Sequence, residues 1–180
     1  SPPSPKVTTS ELFSPAVYNR IGVYVINRSR YRLSGGAIRQ VEDEFMRSVM
    51  EKGYILAARS DIDQIKRELK IQSSDFSEEA LARKAKAINV SAIMLVSINN
   101  VSSYRYRPQN AVYVSGHSYF IGSANISARL ISAELAQVVW ISSYAGEYLI
   151  NDLRRGEDAL VSCQPCDVVI SVVYYLHNQP

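Results

Sequence analysis

Apolar and polar positions change rhythm several times along this chain. Residues 20–27, RIGVYVIN, form an almost unbroken β-rich apolar run, the pattern of a strand buried on both faces. From 36 to 52 the period becomes helical. Ile38, Val41, Phe45 and Val49 recur on one side with acids on the other, and Gly53 follows as a helix stop. YILAA (54–58) predicts a second strand. Ile62, Ile65 and Leu69 then line one face of a second helix, where Ser60 and Asp63 have the spacing of a capping box. Ser77 with Glu78 and Glu79 opens a third helix, which turns Leu81, Ala85 and Ile88 inward and ends near Asn89. AIMLVSI (92–98) is again a buried strand.

Beyond residue 100 the pattern alternates. Residues 124–132, a turn around Ala133 to Gln137, and residues 138–148 predict antiparallel strands joined as a hairpin. The apolar run from Asp167 to Leu176 follows Pro165, a helix-opening position, although its β-branched residues leave a strand open. The expected fold is therefore α/β: a three-layer single domain with a mixed sheet of about five or six strands, flanked by helices and carrying a C-terminal antiparallel hairpin. The start, SPPSPKVTTS, has no apolar periodicity, so residues 1–12 are expected to be a flexible Pro/Ser-rich linker ahead of one domain over 13–180.

Composition adds limits. With 180 residues, 47% hydrophobic and 21% charged, the chain can bury a core without staples. It contains no apolar run near the roughly 18 residues of a spanning helix, so it is expected to be soluble. No basic start followed by an apolar signal core is visible. The net charge of +3 is unevenly spread. Between Glu79 and Glu134 there is no acid, while Arg83, Lys84, Lys86, Arg105, Arg107 and Arg129 lie there. Such a field favours an acidic partner near the middle of the chain.

Enzyme chemistry is nearly absent. His117 and His177 have no second ligand at metal-binding spacing. Ser34-Gly35-Gly36 lacks the rest of a phosphate-binding or dinucleotide fingerprint. Asp61, Asp63 and Glu68 fit the solvated side of an amphipathic helix. No catalytic residue, cofactor or metal is expected. Cys163-Gln164-Pro165-Cys166 has the spacing of a redox dithiol, but only 14 residues follow it, too few for the sheet a thioredoxin domain builds after its dithiol.

The most distinctive stretch is SYRYRPQNAVYVSGHSYF, residues 103–120. In a strand its alternation puts Tyr104 and Tyr106 on one side and Arg105 and Arg107 on the other. A nucleic-acid platform wants aromatics and cations together, so nucleic acid is not the expected partner. A membrane hairpin needs arms of about 9 to 11 residues. Asn99 to Arg107 and Val112 to Phe120 barely supply them around Pro-Gln-Asn-Ala. Tyr and Arg are enriched at protein interfaces, which makes Tyr104, Arg105, Tyr106, Arg107, Tyr113 and Tyr119 the candidate partner-binding residues.

Four segments carry a resemblance: RIGVYVIN (20–27), EKGYILAARSDIDQI (51–65), AINVSAIMLVSI (87–98) and ISARLISAELAQVVW (126–140). Together they resemble the curli-secretion (CsgG-like) outer-membrane lipoproteins, whose relatives include activators of penicillin-binding proteins. Asn89-Val90-Ser91 stands where that family has Gly-Ala-Asp, and Glu134 to Gln137 where it has a Thr-Gly turn, so the resemblance is to a distant member. It implies a periplasmic domain tethered to the outer membrane by a lipid on a preceding cysteine absent from this chain. In that oxidising compartment Cys163 and Cys166 are expected to form a local disulfide. The expected function is a non-enzymatic envelope lipoprotein domain that binds or scaffolds a protein partner, with self-association left open. Two alternatives remain: a subunit of an oligomeric secretion pore, and a thiol-disulfide protein using Cys163 and Cys166.

Overall fold

The computed structural model describes residues 6–30, 32–33, 35–72, 77–106 and 119–150. Along them run β1 (Lys6–Thr9), a 3-10 turn (Pro15–Val17), β2 (Arg20–Asn27), α1 (Gly35–Glu51), β3 (Ile55–Leu56), α2 (Arg59–Gln72), α3 (Glu78–Ala87), β4 (Ala92–Tyr106), β5 (Tyr119–Ser132) and β6 (Gln137–Ile150). The strands form one sheet in the order β1-β6-β5-β4-β2-β3. β2 pairs in parallel with β3 and β4, whereas the β4-β5, β5-β6 and β6-β1 pairs are antiparallel. This is the mixed α/β sheet implied by the change of rhythm in the sequence, with the expected hairpin as β5 and β6.

Strand alternation divides the core into two layers. On one face Ile21, Val23 and Val25 of β2, with Val96, Ile98, Ala124, Ile126 and Ala128, meet Val41, Phe45 and Val49 of α1. On the other, Tyr24, Ile93, Leu95 and Ile131 meet Ile62, Ile65 and Leu69 of α2 and Leu81 and Ala85 of α3. The apolar stripes that the helical spacing picks out are thus the buried ones, except that Ile38 and Ile88 at the ends are only partly buried.

Local chemistry sets the boundaries. Ser77 caps α3, its hydroxyl accepting from the Ala80 N–H at 3.2 Å, as the sequence indicates. The capping box expected at Ser60 does not form. Ala57 is held to β2 by its N–H on the Ile21 carbonyl, and the chain turns at once into α2, with the Ala58 carbonyl accepting from Asp61 and Ile62. Ser60 therefore lies inside the first turn.

The expected linker is also partly a strand. Lys6–Thr9 pairs with β6 from Lys6↔Ser143 to Thr9↔Trp140, although all four of its residues are exposed. Its segment, KVTT, follows the last of the early prolines and contains good strand formers. Main-chain pairing to a free edge supplies the attachment that apolar burial does not.

Among the described residues three have positive φ: Gly53 (87°), Asn89 (57°) and Ala136 (52°). Asn89 and Ala136 lie in the two segments where the resembled family has glycine. Asn tolerates the left-handed region, but for Ala it costs roughly 1 kcal/mol or more. Ala136→Gly is accordingly expected to raise stability by up to about 1 kcal/mol, since glycine removes that strain but adds freedom to the unfolded chain. A denaturant melt that shows a loss instead contradicts this.

β3 is only two residues long, and beyond it α1 and α2 reach each other around the edge of the sheet. Glu42 of α1 has a side chain only 5% exposed, with Lys66 of α2 at 2.9 Å and Arg59 at 3.3 Å. Arg59 also pairs with Asp43, a hydrogen bond that raises its pKa. The Lys66 ammonium sits 5.3 Å from the Tyr24 ring centroid. Burial pushes the Tyr24 phenol up. Inward charge of this kind blunts a sheet edge against a further strand.

Candidate functional site

The open end of the sheet is built where β2 stops. Asn27 pairs with Ile98, and the Arg28 N–H donates to the Ile98 carbonyl at 2.9 Å. The Asn27 side-chain oxygen then accepts from the Ser29 N–H (3.0 Å) and hydroxyl (2.6 Å). This is an Asx-type turn, and it takes the chain off the β4 edge. At the same level β4 carries an irregularity between Ile98 and Asn100, the position of a β-bulge.

Past that level β4, β5 and β6 run on as a three-stranded ribbon. β4 pairs with β5 from Asn100↔Asn125 to Tyr106↔Tyr119, and β5 with β6 out to Phe120↔Ile150. β1 accompanies β6 only from Trp140 to Ser143. Among the described residues, no strand pairs with the outer edge of β4 over 100–106 or of β6 over 144–150.

The root of the ribbon is fixed on both faces. Val101 and its partner Ala124 are buried with the α1 layer. Opposite, the exposed Asn99 side chain donates to Asn125 (3.2 Å) and to the Ser127 hydroxyl (3.0 Å). The ribbon therefore projects from a packed, hydrogen-bonded base.

Of the candidate residues, Tyr104, Arg105 and Tyr106 lie in β4 and Tyr119 in β5, where it pairs with Tyr106. Arg107 and Tyr113 fall outside the described residues, as do His117, His177, Cys163, Cys166 and the run from Asp167 to Leu176. Only the last two positions of the expected second hairpin arm, Tyr119 and Phe120, are described, and both belong to β5.

The acid-free segment is less bare in the fold than along the chain. Lys84 pairs with Glu68 of α2, Lys86 with Glu134 at 3.0 Å and Arg129 with Glu78 at 3.1 Å. Hydrogen bonds from Lys84 and Gln64 hold the Glu68 carboxyl below its ordinary range. Three of the six basic residues are thus answered by acids from elsewhere in the domain. Among the described residues no group of His, Cys, Asp and Glu could hold a metal ion, and no helix is long and apolar enough to cross a membrane.

Comparison with known proteins bears on the fold. No protein-family model matches the chain, and no curated protein does. Among solved structures, lipoprotein GNA1162 from Neisseria meningitidis is similar over 89% of this chain and 99% of its own, with a TM-score of 0.53 and 14% identity. The PelC dodecamer from Paraburkholderia phytofirmans matches over 97% of this chain and 96% of its own, with a TM-score of 0.47 and 13% identity. The LpoB C-terminal domain from Escherichia coli matches over 75% of this chain and 84% of its own, with a TM-score of 0.44 and 12% identity. At these identities the likeness to GNA1162 establishes a shared fold, and the curli-secretion family itself is not among the findings.

Proposed function

We propose that this chain is a non-enzymatic cell-envelope domain that binds or scaffolds a protein partner in the periplasm. Its contact surface is the ribbon carrying Tyr104, Arg105, Tyr106 and Tyr119, together with Arg107 and Tyr113. One observation carries the reading. β4 continues past the end of β2, so Tyr104, Arg105 and Tyr106, with Tyr119 paired to Tyr106, belong to a sheet extension rooted in the core. The fold shared with a bacterial lipoprotein, GNA1162, supports the compartment, as does the sequence resemblance to curli-secretion lipoproteins. An outer-membrane lipid tether and a Cys163–Cys166 disulfide belong to the same proposal.

Changing Tyr104, Arg105, Tyr106 and Arg107 together to Ser is the test. The unfolding midpoint is expected to stay close to wild type, because exposed substitutions change stability by about 0.5 kcal/mol. Capture of the native partner from an envelope extract is expected to be lost, because truncating a central interface anchor costs about 2 kcal/mol or more. A variant that melts many degrees lower makes the stretch part of the core. One that folds and still captures the partner moves the contact elsewhere.

A further inference from the structure

We infer that the partner engages the ribbon as an added strand: an extended peptide segment, with an acidic residue at the position facing Arg105, pairs its main chain with the edge of β4 from Asn100 to Tyr106. The inference rests on the partner-binding reading and specifies how contact is made. Three observations support it. The Asx-type turn at Asn27 to Ser29 and the irregularity between Ile98 and Asn100 end the β2-β4 pairing at one level, so that among the described residues no strand follows the edge beyond. The ladder to β5 continues for the whole length of that edge, which keeps β4 extended as a template. The edge sequence, NVSSYRY, contains no proline, so every residue keeps the main-chain N–H that a further strand needs, and its single charge, Arg105, selects among strands rather than barring them. The opposite corner of the same sheet, beside β3, is blunted instead by the Glu42, Lys66 and Arg59 cluster.

The occupant follows from what the edge offers. A row of main-chain N–H and C=O groups is complemented by another extended strand. An acid facing Arg105 is favoured because neither β4 nor β5 contains a carboxylate, and the one acid of β6, Glu147, lies two strands away from β4. Added there, the strand would lie where β2 would have continued.

The test is amide hydrogen exchange on the full chain. Its probes are two synthetic seven-residue peptides of alternating Thr and Val, one with Glu at the centre and one with Lys. In the free chain, alternate amides of 100–106 are expected to exchange quickly and their neighbours, bonded to β5, slowly. The Glu peptide is expected to slow the fast set by about tenfold or more, and the Lys peptide to act more weakly. Ser102→Pro and Ser103→Pro divide the roles: one removes an N–H bonded to β5 and lowers stability, and the other removes an outward N–H and abolishes the peptide effect while the domain stays folded. Slow exchange at every amide of 100–106 in the free chain overturns the inference, because the chain then covers its own edge. Protection that appears only as protein concentration rises also overturns it, since a second copy is then the occupant. If the fourfold Ser variant loses the partner while the folded proline variant keeps it, strand addition fails and the partner-binding reading stands.

Discussion

Glu42→Ala is expected to lower the stability of the domain by about 2–4 kcal/mol, somewhat less than the 3–5 kcal/mol typical of breaking a fully buried pair. The Glu42 side chain is 5% exposed and faces two cations, so its removal takes away the buried carboxylate they share, leaving Arg59 with Asp43 and Lys66 with Asp63 at 4.0 Å. Both cations are partly exposed and can recruit water, which is the reason for the discount. Lys86→Ala is the matched control. It breaks a pair whose two side chains are mostly exposed, and such pairs contribute about 0–1 kcal/mol. Urea denaturation at unchanged slope measures both. Equal, small losses would mean that the α1-α2 cluster holds nothing together.

Ile93→Ala is expected to cost about 3–4 kcal/mol, within the range for emptying a buried aliphatic site. Ile93 is fully buried in β4, beneath α2 and α3 and opposite Gly22 of β2. A Cβ on Gly22 would come within 2.4 Å of the Ile62 Cδ1 and 2.8 Å of the Ile93 Cδ1. The glycine is thus the space into which two isoleucines pack. Gly22→Ala alone is expected to destabilise by about 1–2 kcal/mol through overpacking. Combined with Ile93→Ala it meets a partly vacated site, so the double variant is expected to fall short of the sum of the two singles by about 0.5 kcal/mol or more. Strict additivity in equilibrium unfolding would show that the two positions do not share one volume.

These two sites mark how far the sequence was legible. The helix stripes were plain because each pairs one apolar face with one polar face, so Val41, Phe45, Val49, Ile62, Ile65 and Leu69 could be placed by spacing alone. Glu42 looked like any acid on the polar side of α1. Its burial depends on α2 reaching around a strand of two residues, a tertiary fact that periodicity does not encode. The ends of the strands were harder still. Apolar character fades at Ile98, which suggested a strand of seven residues. Pairing to β5 carries β4 on to Tyr106, because a ladder tolerates polar positions once its partner is fixed. The Asn27-Arg28-Ser29 run that closes β2 was the available signal for its end, since Asn side chains favour such turns. For β1 the proline-rich start masked four residues whose pairing depends on a strand far away in the chain.

That distance has a consequence for how the domain comes together. Lys6 to Thr9 leave the ribosome first among the described strands, yet their partner is β6, the last of them. Hairpin pairing between β5 and β6 closes a short turn, whereas β1 must wait for a loop spanning almost the whole described chain. With all four of its residues exposed, β1 has no apolar cluster to hold it near the growing core in the meantime. β1, the first of the described strands to be synthesised, is thus expected to dock last, and until β6 emerges the nascent chain carries it as an unpaired strand available to whatever else offers an edge.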